Sequence, residues 1–395
     1  KHPSHFMCLA DFKQFYASSR DESCRDQSDK RKKSVTAIWS SHPLRLSVIA
    51  RSFKAGDGLF IKDPEGRLAV NSWVPFMRCN AAPVQKYIDA FVDHVRLVFL
   101  EESERFLDWL AHIEQVPGEL PHTGWISIAT HTGMGRNWIS SVLVRMWSGR
   151  VAANFDILRM FSSGFNGRLA GKVLACVDEI KVGGAEAWPH SEKLKSIVTE
   201  ETREINPKYG RAFVEYNAVR WLIFSNHLSA VPLDANDRRW EIVINENLPC
   251  SPEYYADLYG MLREPLFVSS VAHFLKTRDL SLFKPGAHAR MTEGKAHVIN
   301  TSRSDLDLAC EEIVNTWGSD IILASDLYAA LEYGSAQKPN TNIVRSVMGG
   351  AGARAYGRKV KVAGKSDRAW ILRNASHWMK AQPFEIAAET LRGRG

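Results

Sequence analysis

Apolar and polar positions along this chain follow a pattern that predicts an α/β core. Residues 126–130, 172–177 and 220–224 are rich in apolar and β-branched side chains, and polar or glycine-containing sequence follows each run. Such runs are typical of parallel strands that are buried on both faces. A further strand is predicted at residues 241–244, and residues 138–147 have the pattern of a helix. This alternation of strands and helices predicts the α/β fold class.

Two stretches upstream of this core have apolar residues at the spacing of an amphipathic helix. Their apolar members are Tyr87, Phe91, Val95 and Val98 in the first stretch and Phe106, Trp109, Leu110 and Ile113 in the second. We interpret them as core positions of a helical collar, residues 81–118. In the N-terminal region, residues 1–80, a β-hairpin is predicted from residues 58–61 and 67–70 around the turn at residues 63–66.

The C-terminal part of the chain has a different organisation. Amphipathic helices and a hairpin are predicted here, at residues 305–317, 324–333 and 340–349 for the helices and at residues 358–362 and 368–372 for the strands. Three helices followed by a hairpin indicate a winged helix-turn-helix domain, which we place at residues 301–380.

Basic residues are concentrated in the same part. Between positions 338 and 370 there are eight basic residues and one acid, Asp367. The basic residues are Lys338, Arg345, Arg354, Arg358, Lys359, Lys361, Lys365 and Arg368. Such a local excess is typical of nucleic-acid binding, so we expect DNA contacts from Arg345, Arg358, Lys359 and Lys361. The alternative is a winged helix that contacts another protein.

Two adjacent carboxylates, Asp178 and Glu179, follow the apolar run at residues 172–177. Open α/β sheets bind their ligands at the carboxyl ends of the strands. One carboxylate can hold Mg²⁺, an oxygen-seeking cation, through its water shell. The other can orient or deprotonate an attacking water. The alternative is a strand that ends in two solvated acids.

A glycine-containing loop leads from the strand at residues 126–130 to the helix at residues 138–147. Strand, glycine loop and helix are the context of a phosphate-binding loop. Glycines let backbone N–H groups approach phosphates, and the helix N-terminus favours an anion. The candidate phosphate-binding residues are Thr132, Gly133, Met134, Gly135, Arg136 and Asn137.

This loop departs from the pattern G-x-x-x-x-G-K-[ST] at three positions. Thr130 replaces the first glycine, Arg136 replaces the lysine and Asn137 replaces the hydroxyl residue. Arg136 keeps the positive charge but carries it on a planar fork. Asn137 offers a carbonyl oxygen where a hydroxyl would meet the metal. The alternative is an ordinary turn between a strand and a helix.

Two further blocks contain polar residues beside predicted strands. Asn226 follows the run at residues 220–224 and can bind a γ-phosphate or an attacking water, although Asn also starts turns. Arg238 and Arg239 precede the strand at residues 241–244. They could reach the nucleotide of a neighbouring subunit, since an arginine supplied in trans stabilises charge in phosphoryl transfer. The alternative is a surface salt bridge with Asp237.

The four blocks occur in a fixed order: glycine loop, D-E strand, S-N strand and D-R-R segment, between positions 130 and 239. In this order they resemble the motifs of superfamily 3 helicases of the phage and plasmid primase-helicase type. Further segments similar to the phage branch lie at residues 106–112, 164–170, 194–201 and 205–210. The resemblance implies an AAA+-like P-loop ATPase domain at residues 119–290. Proteins of that family assemble as rings around DNA, usually as hexamers.

The same resemblance implies roles for individual residues. It assigns Asp178 and Glu179 as the Walker B pair, Asn226 as the sensor, and Arg238 or Arg239 as the arginine finger. ATP and Mg²⁺ are the implied cofactors, with Asp178 and Asn137 near the metal. The family's loop normally carries lysine where this chain has Arg136. This departure argues against ATP hydrolysis.

The family also places a DNA-gripping hairpin between the D-E and S-N strands. In this chain the interval contains Lys193, Lys195, Arg203, Lys208 and Arg211. Residues 206–210 have turn chemistry, because proline restricts φ and glycine permits positive φ. We expect DNA contacts from Lys195, Lys208 and Tyr209, through phosphate binding and stacking. The alternative is a solvated hairpin tip.

Composition narrows the remaining possibilities. The net charge of +7 fits a polyanionic partner, and 395 residues suffice for two or three domains. Six cysteines are scattered without C-x-x-C pairs, which argues against a zinc site and suits a reducing cytoplasm. No apolar run is long enough to predict a membrane span. Because the first residue is Lys, we expect the chain to begin inside a longer protein, with a primase module upstream or a polymerase as partner.

These observations predict a replicative DNA helicase subunit of a phage or mobile element, acting in the cytoplasm of a bacterial host. It would hydrolyse ATP and translocate on single-stranded DNA as a ring. One alternative is a DNA-binding scaffold or replication initiator that binds nucleotide without hydrolysing it. Another is a site-specific DNA-binding protein in which the winged helix is the main functional part.

Overall fold

The computed structural model describes residues 35–44, 48, 50–78, 81–180, 193–194, 196–228, 233, 236–301, 305–332 and 341–393. It has two units. The first comprises Lys1–Ala230 and Arg238–Arg290, and the second comprises Val231–Asp237 and Met291–Gly395.

The first unit contains both strands and helices. Its strands are β1 (Ala50–Ser52), β2 (Phe60–Lys62), β3 (Leu68–Asn71), β4 (Gly124–Ala129), β5 (Val151–Ala152), β6 (Leu174–Val177), β7 (Thr202–Ile205), β8 (Phe213–Tyr216), β9 (Arg220–Ser225) and β10 (Trp240–Asn245). Its helices are α1 (Val35–Ser41), α2 (Gln85–Phe99), α3 (Ser103–Gln115), α4 (Arg136–Met146), α5 (Ile157–Ser163), α6 (Pro252–Met261) and α7 (Phe267–Thr277).

A parallel sheet with the strand order β10-β4-β9-β6-β5 forms the centre of this unit. Every residue of β4, β6 and β9 is buried, as expected for strands that are covered on both faces. The strands predicted from the apolar runs are therefore confirmed. Because β9 lies between β4 and β6, the carboxyl ends of these three strands are neighbours at one edge of the sheet.

Helices α2 and α3 carry the two predicted apolar stripes. The stripe residues Phe91, Val95, Val98, Phe106, Trp109, Leu110 and Ile113 are buried, and Tyr87 is partly buried. The rings of Phe99 and Phe106 stack with their centroids 3.6 Å apart. These side chains share one hydrophobic core with β4, β6 and β9. Burying each large apolar side chain stabilises the fold by about 1.5–3 kcal/mol, so the stripes are core and not partner surface.

The predicted N-terminal hairpin is confirmed. Strands β2 and β3 pair antiparallel, with Phe60 opposite Val70. The Asp63 carboxylate accepts hydrogen bonds from the backbone N–H groups of Glu65 and Arg67, which closes the turn between the strands. Strand β1 adds to this sheet in parallel with β3. Its three residues are too short a run to show a period in the sequence.

The second unit contains helices α8 (Glu293–Thr301), α9 (Asp305–Thr316), α10 (Ala324–Glu332), α11 (Thr341–Gly350), α12 (Ala375–Trp378) and α13 (Pro383–Arg392). Its strands are β11 (Ile321–Leu323), β12 (Arg354–Ala355), β13 (Val360–Val362), β14 (Lys365–Asp367) and β15 (Ala369–Ile371). The three predicted amphipathic helices correspond to α9, α10 and α11. The winged-helix assignment stays a prediction.

The predicted partner strand of the C-terminal hairpin was wrong. Strand β13 pairs with β14, while β15 pairs with β11 and β12 in a separate antiparallel sheet. Ala363 and Gly364 both have positive φ, of 46° and 82°. Two such residues form a tight two-residue hairpin turn, which brings Val362 opposite Lys365. The second strand of the hairpin therefore begins at Lys365, inside the segment that was predicted as its loop.

Candidate active site

Three segments that follow sheet strands meet at one edge of the first unit. They are the loop after β4, the acidic pair after β6 and Asn226 after β9. Ile128 of β4 is in register with Ser225 of β9, and Val177 of β6 is in register with Ile223 of β9. The strands thus end at nearly the same level. This edge is where open α/β sheets bind ligands.

The loop between β4 and α4 contains two glycines in the left-handed conformation. Gly133 and Gly135 have positive φ, of 83° and 74°, and Gly135 directly precedes the first residue of α4. Thr132, Gly133 and Asn137 are exposed. Met134 is buried, so its side chain packs beneath the loop and is not open to a ligand. The N-terminus of this 11-residue helix carries a partial positive charge, which favours a negatively charged group nearby.

Arg136 points towards the end of β9 rather than along the loop. Its guanidinium donates to the carbonyl of Ser127 at 3.3 Å, to the carbonyl of Ser225 at 2.5 Å and to Asn226 Oδ1 at 2.5 Å. Burial lowers the pKa of the Arg136 guanidinium, and the carboxylates of Asp178 and Glu179 oppose that shift. The side chain predicted to bind phosphate is therefore engaged with the S-N strand.

The two carboxylates after β6 lie in different environments. Asp178 is half-buried, and its Oδ1 is shielded from solvent and has no hydrogen-bond partner among the described residues. Burial raises the pKa of the Asp178 carboxyl, and the charge of Arg136 opposes that shift. Glu179 is exposed and has a φ of 53°, a backbone conformation that is costly for residues other than glycine. Strained residues of this kind are concentrated at functional sites.

Ser225 connects the S-N strand to the acidic segment. Its hydroxyl donates to the carbonyl of Ile180 at 2.9 Å and accepts from the backbone N–H of His227 at 3.0 Å. The residues around Asn226 are thus held against the segment that carries Asp178. The sequence interpretation singled out Asn226 alone, because a serine at a strand end has no distinctive local signal.

Arg238 and Arg239 lie at the opposite end of the parallel strands, where the strands begin. They precede β10, which runs parallel to β4 with Trp240 opposite Gly124. At about 3.3 Å per residue, the six-residue strand spans about 17 Å. The structure therefore does not bring these arginines to the glycine loop of their own chain. Arg238 is exposed and Arg239 is half-buried.

Asp237 does not form a surface salt bridge. Its side chain is fully buried in the second unit, where the Lys295 ammonium lies 3.2 Å from its carboxylate and donates to its backbone carbonyl. A buried cation and anion that pair in this way stabilise each other, and removing one partner is costly. The alternative interpretation of this segment as a solvated ion pair was wrong for Asp237.

Strands β7 and β8 form the hairpin predicted between the D-E and S-N strands. Tyr209 at its tip is 91% exposed, and the Lys208 ammonium lies 5.1 Å from the centre of its ring. Arg203 is not available to a ligand, because it is buried against Glu215 at 2.9 Å. Lys195 lies outside the described residues. The tip thus presents an aromatic ring and a cation to solvent.

Comparison with known proteins yields a family model and a phage relative. The family of unknown function DUF5906 matches residues 128–239, the interval from the glycine loop to Arg239. The DNA primase-polymerase of Nitratiruptor phage NrS-1 is 22% identical over 197 residues, which are 49% of this chain and 27% of that relative. This chain therefore spans about a quarter of the length of the curated relative that it matches.

Solved structures of the same phage protein share the fold. The apo structure of the NrS-1 C-terminal region matches 93% of this chain and 91% of that chain, with a TM-score of 0.64 and 17% sequence identity. A second apo structure of that region matches 85% of this chain with a TM-score of 0.59. The chain is thus similar in sequence and in fold to part of a phage replication protein.

The basic residues predicted to bind DNA in the second unit are at its surface. Arg345 lies on α11, and Arg358, Lys359 and Lys361 lie on or next to β13. All four are exposed, while Val360 and Val362 are buried. Side chains alternate between the two faces of a strand, so Lys361 faces solvent while its neighbours Val360 and Val362 face the core.

The described residues contain neither a metal cluster nor a membrane-spanning helix. No three His, Cys, Asp or Glu side chains in that part of the chain form a group that could hold a metal ion. None of the described helices has the length and apolar content needed to cross a membrane.

Proposed function

We propose that this chain is a subunit of an ATP-driven DNA helicase of a phage or mobile element. The observation that carries the proposal is the meeting of the glycine loop, Asp178 and Asn226 at one edge of a parallel sheet. The similarity to a phage DNA primase-polymerase supports a role in phage DNA replication. The motif order supports a helicase of superfamily 3 with an AAA+-like ATPase domain.

The residues at this edge suit a nucleotide with Mg²⁺. Backbone N–H groups of residues 132–137 would bind the phosphates. Mg²⁺ takes few protein ligands and keeps waters and phosphate oxygens, so one carboxylate suffices. Asp178 fits this requirement, because its buried Oδ1 has no partner in the part of the chain that the structure describes. Exposed Asn137 would face the metal from the loop.

Catalytic roles follow from the positions of the remaining groups. Glu179 is exposed beside Asp178 and would accept the proton of the attacking water. Asn226 would orient that water or the γ-phosphate. Arg238 or Arg239 would act on the nucleotide of a neighbouring subunit, because neither reaches the loop of its own chain. This requirement supports assembly as a closed ring, for which the family resemblance suggests a hexamer.

Two exposed surfaces would bind DNA. The β7–β8 tip, with Lys208 and Tyr209, suits single-stranded DNA, since aromatic rings stack on bases and cations bind phosphates. The basic surface of the second unit suits duplex DNA through a winged helix.

A second candidate function is a DNA-binding scaffold or replication initiator that binds nucleotide without hydrolysing it. The bonds from Arg136 to Ser225 and Asn226 favour this alternative. In a hydrolytic site of this kind, a cationic side chain of the loop stabilises the phosphates. In this chain that side chain, Arg136, is instead bonded to the proposed sensor, Asn226.

ATP hydrolysis by the purified chain separates the two candidates. For the helicase we expect phosphate release that requires Mg²⁺ and becomes faster when single-stranded DNA is added. The particles should have the mass of a ring of several subunits. Turnover would be measured by phosphate release, and particle mass by mass photometry. Binding of ATP without turnover under any condition would favour the scaffold, and no binding of ATP would contradict both.

The basic surface of the second unit yields a prediction about salt. Replacing Lys359 and Lys361 by Glu should weaken duplex binding and flatten the dependence of log affinity on log salt by roughly 1–2 units. Each lost phosphate contact removes about 0.9 from that slope, because fewer counterions are released. Affinity would be measured by fluorescence anisotropy over a series of salt concentrations.

The matched control replaces two exposed lysines of the first unit, Lys276 and Lys284, by Glu. It changes the net charge by the same amount but should leave the slope unchanged. An unchanged slope and affinity in the Lys359 and Lys361 variant would mark this surface as a protein contact.

A further inference from the structure

His94 lies beneath the glycine loop, although no motif in the sequence points to it. It belongs to α2 and is completely buried. Its ring lies edge-on to the ring of Trp138 on α4, with the centroids 5.0 Å apart. His94 is therefore enclosed between its own helix α2 and the helices α4 and α6.

Both ring nitrogens of His94 have partners. Nε2 lies 3.2 Å from the carbonyl oxygen of Gly135, and Nδ1 lies 3.1 Å from the hydroxyl of Tyr254 on α6. Burial lowers the pKa of the His94 imidazole to about 4, so the ring is neutral near pH 7 and has one N–H. A carbonyl oxygen only accepts. Nε2 therefore donates to Gly135, and Nδ1 accepts from the Tyr254 hydroxyl.

The contact leaves no space at Gly135. A Cβ atom at this position would lie 2.6 Å from His94 Cε1 and Nε2 and 2.9 Å from Tyr255 Cε1. Its φ of 74° also favours glycine. The second glycine of the loop is thus required by the histidine beneath it as well as by its own backbone conformation.

The bond to Gly135 determines which way the next peptide N–H points. The Gly135 carbonyl accepts from His94 and also from the backbone N–H of Trp138 at 2.9 Å. In a trans peptide the C=O and N–H bonds point in opposite directions. A carbonyl held towards the protein interior therefore directs the Arg136 N–H outward, to the side on which the loop is open.

We propose that His94, held by Tyr254, is a positioning residue that keeps the loop at residues 131–137 in the conformation that binds phosphate. The proposal rests on the proposed function, because it assigns the oriented N–H groups to a nucleotide. It couples α2 and α6 to the loop through a hydrogen-bond chain of Tyr254, His94 and Gly135. Each link is neutral, so the chain orients the loop without adding charge beneath the phosphates.

Two substitutions at position 94 separate positioning from packing. In His94→Gln the side-chain amide nitrogen lies near the place of Nε2, so the bond to Gly135 can form. In His94→Asn the amide reaches only the place of Nδ1, so that bond is lost. We expect His94→Asn to weaken the binding of MgATP about three- to tenfold, from the loss of one hydrogen bond. His94→Gln keeps the bond to Gly135 but not the one to Tyr254, so it should restore part of the affinity.

Tyr254 and Tyr255 provide a matched pair of controls. Tyr254→Phe removes the hydroxyl that holds His94 and should also weaken MgATP binding. Tyr255→Phe removes a neighbouring hydroxyl, which accepts from the backbone N–H of Cys250, and should have little effect. Equal effects of the two variants would contradict the proposed chain.

Hydrogen exchange of residues 131–137 in the nucleotide-free full chain tests the same contact independently of ATP. Exchange should be faster in His94→Asn than in the unchanged protein and should return towards normal in His94→Gln. Equal exchange in all three would overturn the proposal, as would a loosened loop with unchanged MgATP affinity. If the unchanged protein binds no MgATP, the proposed function fails, and the exchange result alone decides whether His94 orients this loop.

Discussion

Replacing Glu179 by Gln should abolish ATP hydrolysis while ATP binding is retained. The amide keeps the size of the side chain but cannot take the proton of the attacking water. Proton transfer by a positioned side chain contributes typically about 10²–10⁴-fold to a rate, so turnover should fall by at least about two orders of magnitude. Phosphate release would give the rate, and titration with a fluorescent ATP analogue would give the affinity.

Glu246→Gln is the matched control for this experiment. Glu246 is also an exposed carboxylate at the same edge of the sheet, since it follows the last residue of β10. Its substitution should leave hydrolysis unchanged. If Glu179→Gln hydrolyses ATP at the unchanged rate, the role proposed for Glu179 is wrong.

Mixing two inactive variants should restore ATP hydrolysis if the arginines act between subunits. Arg239→Ala and Asp178→Ala should each be inactive alone, because an arginine supplied in trans contributes about 10³–10⁵-fold in related chemistry. In mixed rings some interfaces pair an intact Asp178 with an intact Arg239. Those interfaces should regain turnover, and the same test applies to Arg238.

The control for this mixture carries both substitutions in one chain. Mixing that double variant with Asp178→Ala leaves no interface with an intact site, so no turnover should return. If ATP hydrolysis returns neither with the Arg238 variant nor with the Arg239 variant, both arginines have structural roles only.

Local patterns were sufficient to predict several elements of this protein. A run of apolar residues must be covered on both faces, so residues 172–177 and 220–224 predicted buried strands wherever they lay in the sheet. Helical spacing identified the buried faces of α2 and α3 for the same reason. The hairpin at residues 360–367 was placed incorrectly, because the tight turn at Ala363 and Gly364 has no separate signal in the apolar pattern.

The chemistry of the candidate site depended on contacts that no local pattern contains. Arg136 and Asn226 are 90 residues apart in sequence, yet a hydrogen bond joins them. His94 and Gly135 are 41 residues apart. A loop lysine or arginine directed at phosphate looks the same in sequence as one directed at a neighbouring strand. Only the position of β9 beside β4 distinguishes the two cases.

The sequence by itself determined which segments become buried strands and helices, and it marked the polar residues that follow those strands. These properties depend on the period of apolar side chains and on turn residues, which act over a few neighbouring positions. The tertiary structure decided the strand order, the direction of Arg136, the support of the loop by His94 and the position of Arg238 and Arg239 at the far end of the strands. Each of these depends on packing between distant segments, where many arrangements satisfy the same local pattern.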